Sequence, residues 1–235
     1  VGDPDHRLGQ LMAYYWINHE KEVADGALKN SWHPGGKSVQ ILSYCYDALD
    51  NGSNSPGHAM GLNAFWAGQT SNYTCMSWAG PMETAFDASV YVHEMGHANI
   101  DYATNGQIYE GNDHVQCANI FTDVSRCCDT ADGCSPAINE GQADVHFQMV
   151  FEAGTPGRFM RNSLYGLPGR AAEFNKNTTA QQMYNGTAID PSTNQPIGRW
   201  GQEPHYMGGV WAAAWWTLRQ NIGSDATNKI FLAHE

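Results

Sequence analysis

His93-Glu94-Met95-Gly96-His97 is the stretch on which the reading of this chain turns. On a helix, two histidines four apart rise on one face. Their imidazoles can there hold one zinc ion, while the adjacent glutamate reaches a water beside it. The flanks support a helix: from Thr84 the apolar residues Ala85, Ala88, Val92, Met95 and Ile100 keep helical spacing to about Tyr102, and Pro81 suits a first helical position. The spacing therefore predicts a helix that carries the motif in its interior.

A zinc ion that works in hydrolysis needs three protein ligands and one open position, so a third ligand must come from elsewhere. The continuation H-x-x-G-x-x-H is excluded, because Ile100 and Ala103 stand where it requires glycine and histidine. A glutamate on a second helix is the other common solution, and Asn139-Glu140-Gly141-Gln142-Ala143-Asp144 supplies one. Glu140 and Asp144 are four apart and share a helix face. Glu140 is the candidate ligand; Asp144 is the candidate acceptor for the free imidazole N–H of a liganding histidine, which would fix its tautomer. Alone, the two would read as solvated helix carboxylates; beside the histidine motif they read as ligand and orienting group.

The whole chain narrows the classes. Its 235 residues suffice for one large domain or two small ones, and 42% hydrophobic with 11% aromatic residues describe a packed globule. Twelve Lys plus Arg against 24 Asp plus Glu leave a formal charge of -12, which repels phosphate backbones and anionic lipid. Neither nucleic acid nor a membrane is an expected partner, and no apolar run approaches the roughly 18 to 20 residues that span a bilayer. The opening Val1-Gly2-Asp3-Pro4 lacks a basic-then-apolar leader, so any export signal or pro-segment is expected to be already removed. Six cysteines, Cys45, Cys75, Cys117, Cys127, Cys128 and Cys134, with no C-x-x-C spacing, favour disulfides in an oxidising compartment and hence a secreted or extracellular setting. Cys45 and Cys75 are candidates for one bridge. Asn51, Asn72, Asn177 and Asn185 each open an N-x-S/T glycosylation pattern.

Residues 7 to 25 read as an amphipathic helix that Gly26 should stop, with Leu8, Leu11, Met12, Tyr15, Trp16 and Val23 at threes and fours. Residues 38 to 46 and 62 to 66 read as strands on either side of a loop at 50 to 57. The polar, cysteine-bearing stretch from Asn105 to Gly133 reads as a loop, and Asp123, Asp129 and Asp132 in it fit no defined calcium spacing. Ser135 suits an N-cap for a helix over 137–152, residues 155 to 203 read as irregular, and helices are predicted over 207–220 and 226–234. His58, His114 and His146 belong to no ligand spacing and read as structural or exposed.

Several of these strings, in order along the chain, resemble the thermolysin-like and fungalysin-like zinc metalloproteases. His93-Glu94-Met95-Gly96-His97-Ala98 with Asp101-Tyr102 is similar to the zinc helix of that group. Pro136-Ala137-Ile138-Asn139-Glu140 with Asp144 resembles its glutamate helix, and Asn63-Ala64-Phe65-Trp66 resembles the edge strand that binds the substrate backbone. His205 ahead of Gly209-Val210-Trp211-Ala212 is similar to the segment whose histidine steadies the transition state. The resemblance implies an α+β, two-lobed thermolysin-like zincin fold: a β-containing N-terminal lobe with the zinc helix (1–104), an inserted cysteine-bearing loop (105–134) and a mainly helical C-terminal lobe (135–235). It implies Zn2+ on His93, His97 and Glu140, Asp144 behind a ligand, Glu94 and His205 as catalytic groups, Asn63 and Ala64 against substrate, and an endopeptidase acting on proteins or peptides. An arginine binds the substrate carbonyl in that group, and Arg161 and Arg199 both remain open for it. The chain departs from the pattern in three places. Forty-two residues separate His97 from Glu140, Ala131 stands where the group has an oxyanion tyrosine, and Ser89 replaces a calcium-binding aspartate, so Ca2+ has no clear motif. A zinc aminopeptidase, which Asn139-Glu140-Gly141 also resembles, and a non-catalytic zinc-stabilised binding domain are the alternatives.

Overall fold

A computed structural model describes residues 4–28, 39–42, 64–76, 78–79, 82–83, 87–106, 135–153, 178–190, 194–198 and 204–234. In chain order these form α1 (Pro4–Leu28), β1 (Gln40–Leu42), β2 (Ala64–Trp66), a single turn α2 (Gly68–Ser71), β3 (Tyr73–Met76), β4 (Trp78–Ala79), β5 (Met82–Glu83) and α3 (Ala88–Ala103). Then follow α4 (Ser135–Phe151), α5 (Ala180–Tyr184), β6 (Ile189–Asp190), β7 (Gln195–Pro196), α6 (Pro204–Ile222) and α7 (Ser224–His234). Among the described residues this is a mostly helical α+β arrangement with one small mixed sheet. In that sheet β3 is central: β1 runs parallel to it, pairing Ile41 with Thr74, and β2 antiparallel, pairing Phe65 with Cys75. No described helix is long and apolar enough to cross a membrane.

The first helix is longer than its periodicity predicts. Among the described residues nothing lies within 4 Å of where a Cβ on Gly26 would stand, and the helix passes through that glycine to Leu28. Glycine inside a helix costs backbone entropy but blocks nothing, and the buried Ala24, packed with Val145, Met149, Ala212, Phe231 and Leu232, holds this last part of α1 down. Further back, Ala13 packs with Met76, Val90 and Tyr91, and the Tyr91 hydroxyl donates to the Gly9 carbonyl at 2.9 Å.

The metal-motif helix starts later than Pro81 and Thr84 suggest. Met82 and Glu83 are extended, paired with Ala79 and Trp78, and α3 begins only at Ala88. The signal that decides the start is Asp87, whose carboxylate accepts the Ser89 backbone N–H at 3.0 Å and so satisfies one of the unpaired donors of the first turn. Ser135, expected as a cap, lies in the first turn of α4, and α6 starts at Pro204, which places His205 inside the helix instead of ahead of it. The stretch read as irregular holds α5, closed by a reciprocal Thr179–Gln182 capping box, and the β6–β7 hairpin.

Two helices form the centre. Every residue of α3 from Ser89 to Asp101 is buried, and so is every residue of α4 from Asn139 to Val150. Helices enclosed on all sides need no apolar stripe, and their sequences show little of one. Val92 of α3 packs with Phe147 and Val150 of α4, and Gln148 Nε2 donates to the Ala212 carbonyl of α6 at 3.1 Å. At the far end, Arg219 of α6 bridges Asn228 of α7 at 2.6 Å and Glu152 after α4 at 3.1 Å. Cys75 is disulfide-bonded; the other five cysteines lie outside the described residues, and with them the expected bridge to Cys45.

Replacing Asp87 by Ala removes the cap of α3. It should cost about 1 kcal/mol, read as a melting temperature lower by about 2 to 4 °C. An unchanged melt would mean that Asp87 does not set the start of the helix.

Candidate metal centre

Because α3 is regular across the motif, His93, Glu94 and His97 are brought together, each about 5% exposed, and one ligand atom from each lies within 4.8 Å of the others. The two Nε2 atoms face each other at 3.1 Å, with the rings nearly perpendicular at 85°. From α4, Glu140 reaches the same point: its Oε2 is 3.1 Å from His93 Nε2 and its Oε1 3.7 Å from His97 Nε2. Asp144, one turn on, sets Oδ1 2.9 Å from His93 Nδ1, the ring nitrogen turned away from that point. From α6, His205 brings Nε2 to 3.2 Å from Glu140 Oε1, with its side chain 43% exposed, in contrast to the enclosed groups it meets.

This donor set fits a small tetrahedral cation. Ligand atoms about 2.0 to 2.1 Å from such an ion stand about 3.3 to 3.4 Å from one another; the two Nε2 atoms here are 3.1 Å apart, and Glu140 meets them through different oxygens, Oε2 at 3.1 Å from His93 and Oε1 at 3.7 Å from His97. Burial by itself raises the pKa of Glu140; the charges of His205 and His97 and the contact with His93 outweigh it and hold the carboxyl well below the usual range. At neutral pH Glu140 is therefore a carboxylate, the form that ligates metal. The buried His93-Glu94-His97 group, with Glu140 beside it, could hold a metal ion.

Three glycines let the helices come this close. A Cβ on Gly96, inside the motif, would sit 2.8 Å from Ala143 Cα, so α3 and α4 touch backbone to backbone there. A Cβ on Gly141 would fall 2.5 Å from the Gly208 carbonyl oxygen, and one on Gly208 would fall 2.4 Å from that of Ala137. The second crossing is what carries His205 to Glu140. Gly208 belongs to none of the sequence motifs and Gly141 enters only as part of Asn139-Glu140-Gly141; the signal for both is that glycine inside a buried helix costs about 1 kcal/mol against alanine and so marks close approach.

Asp101 ties the far end of α3 to the sheet. Its Oδ2 accepts the Trp66 indole N–H at 2.7 Å and the Gln69 backbone N–H at 3.1 Å, its carbonyl accepts from Gln69 Nε2 at 2.6 Å, and the neighbouring Tyr102 hydroxyl donates to Asn72 at 2.5 Å. Strand β2, at the sheet's edge among the described residues, is thereby held against α3, with Ala64 at its start. Ser89 takes part in the Asp87 cap. His146 lies apart from the site, fully buried beside Glu20. Asn63, His58, His114, Asp123, Asp129, Ala131, Asp132, Arg161 and Arg199 lie outside the described residues.

Gly208→Ala should lower stability by about 1 to 3 kcal/mol, because a methyl group against the Ala137 carbonyl forces α4 and α6 apart. Gly26→Ala, with open space around it, should raise stability by about 0.5 to 1 kcal/mol. Urea unfolding of the two variants checks both signs; a neutral Gly208→Ala would mean the crossing is looser than described.

No protein-family model matches the chain, and no characterised protein and no solved structure matches it.

Proposed function

We propose that this protein is a zinc-dependent endopeptidase. The observation that carries the reading is the convergence of His93 Nε2, His97 Nε2 and the Glu140 carboxylate on one buried point, with Glu94 alongside and Asp144 behind His93. Zinc, when bound by His93, His97 and Glu140, supplies a Lewis acid and brings the pKa of a water to about 7.

The side chains divide the remaining work. Glu94 takes the proton of the attacking water and passes it to the leaving amine. Asp144 holds the His93 ring so that Nε2 keeps its lone pair directed at the site. His205, half-exposed and adjacent to Glu140, donates a hydrogen bond to the carbonyl oxygen as charge gathers on it. An extended peptide adds to strand β2, an edge strand among the described residues, with Asn63 and Ala64 as the residues that bind it and the Trp66–Asp101 bond fixing β2 relative to α3. Two features support a two-lobed, thermolysin-like arrangement: the small sheet precedes α3, and α4, α6 and α7 follow it. The disulfide-bonded Cys75 supports a secreted setting.

Glu94→Gln should lower hydrolysis of an unfolded protein by about 100- to 10,000-fold, with zinc content and circular dichroism unchanged. His205→Ala should lower kcat by about 100- to 1000-fold with a smaller change in KM. Cleavage of an N-terminally blocked peptide identifies an endopeptidase, whereas release of single residues from free N-termini would identify an aminopeptidase. If Glu94→Gln retains full activity at normal zinc content, the reading is wrong. Chelation that melts the protein, together with no hydrolysis of any unfolded protein, would point to a binding domain stabilised by metal.

A further inference from the structure

Glu20 is a charged residue of α1 that is only 1% exposed, and it is matched by His146, which is fully buried in α4. Glu20 Oε1 lies 3.0 Å from His146 Nδ1 and accepts the Asn99 Nδ2–H of α3 at 3.1 Å. One carboxylate oxygen thus joins α1 to both helices that carry the metal-site residues. The attachment points are close to the site: Asn99 is two residues beyond His97, and His146 is two beyond Asp144. Between them lies Gly96, and a Cβ there would stand 3.1 Å from His146 Cδ2 and 3.2 Å from His146 Cβ. The other side of the imidazole is closed by Phe231 of α7, edge to face at 5.4 Å.

We propose that Glu20, through His146 and Asn99, is a positioning residue for the metal centre, holding α3 and α4 in the one register that lets His93, His97 and Glu140 share a ligand. The physical reason is that Gly96 and Ala143 meet backbone to backbone and the His146 ring lies against the same glycine, so whatever fixes that ring also fixes the register there. Apolar packing of Val92 on Phe147 and Val150 resists separation of the helices but tolerates sliding, because dispersion contacts are not directional. The Asn99 hydrogen bond is directional, the close Glu20–His146 ion pair draws α4 to the same oxygen, and both are buried away from water. A slide along the contact would alter the 3.1 and 3.7 Å spacings of Glu140 from the two imidazoles. The inference rests on the metal-centre reading above.

Binding of Co2+ to the metal-free protein, followed by its visible absorption, tests it. Glu20→Leu and His146→Phe should each bind Co2+ about tenfold more weakly than the parent chain, with a changed band shape that reports altered ligand geometry. Glu20→Gln, which keeps the shape and an acceptor oxygen, should restore both to near the parent values. Arg219→Met, which loosens the distant Asn228 and Glu152 contacts, serves as the control: it should lower the melting temperature and leave Co2+ affinity and spectrum unchanged. Should either single variant fail to fold, the double variant Glu20→Leu/His146→Phe leaves no ion facing an apolar partner and should show the same tenfold loss. Folded variants with the parent affinity and spectrum would overturn the proposal and leave Glu20 and His146 as stability residues only. A parent chain that binds no Co2+ would instead overturn the metal-centre reading.

Discussion

Two helices that exclude water, α3 and α4, carry a dense set of buried polar side chains, and the structure described around them answers to that constraint. A buried donor or acceptor left alone costs about 1 to 3 kcal/mol, so buried polar groups such as those of α3 and α4 need polar partners. They find them in three places along α3: His93 and His97 meet Glu140 and Asp144, Asn99 meets Glu20, and Asp101 meets Trp66 and Gln69. Each pairing attaches a different element, so satisfying the interior of α3 also assembles α4, α1 and the sheet around it.

Close approach is the second requirement. Side chains as short as those of Glu140 and Asp144 reach imidazoles on a neighbouring helix only if the two backbones nearly touch, and Gly96 against Ala143 allows that. Gly141 and Gly208 repeat the device between α4 and α6 and bring the half-exposed His205 to the enclosed carboxylate. Buried and partly solvated groups therefore meet at one carboxylate.

The helical motifs were legible because their spacing is a property of one helix: residues four apart share a face whatever surrounds them. The same logic recovered α1, α3, α4, α6 and α7 with shifted ends. The ends moved where a local polar contact outranked the apolar pattern, as Asp87 outranks Pro81 and Thr84 at the start of α3. The capping box of α5 and the β6–β7 hairpin were read as irregular, since elements of two to five residues have too few positions to show a period. His146 and Glu20 could not be paired from sequence: one sits in a buried helix without a stripe, and the other resembles any charged residue of an amphipathic helix.

The amino-acid sequence by itself determined which side chains can act together within a helix: His93, Glu94 and His97 on one, Glu140 and Asp144 on the other. Helical geometry depends on neighbours in the chain, so their spacing settles it. Tertiary structure alone decided that the two helices meet at this register, that His205 arrives from the first turn of α6, and that Glu20 reaches both α3 and α4. Those relations depend on which backbones can approach without a Cβ between them and on which buried polar groups find partners. Both are properties of surfaces in contact, which no spacing along the chain records.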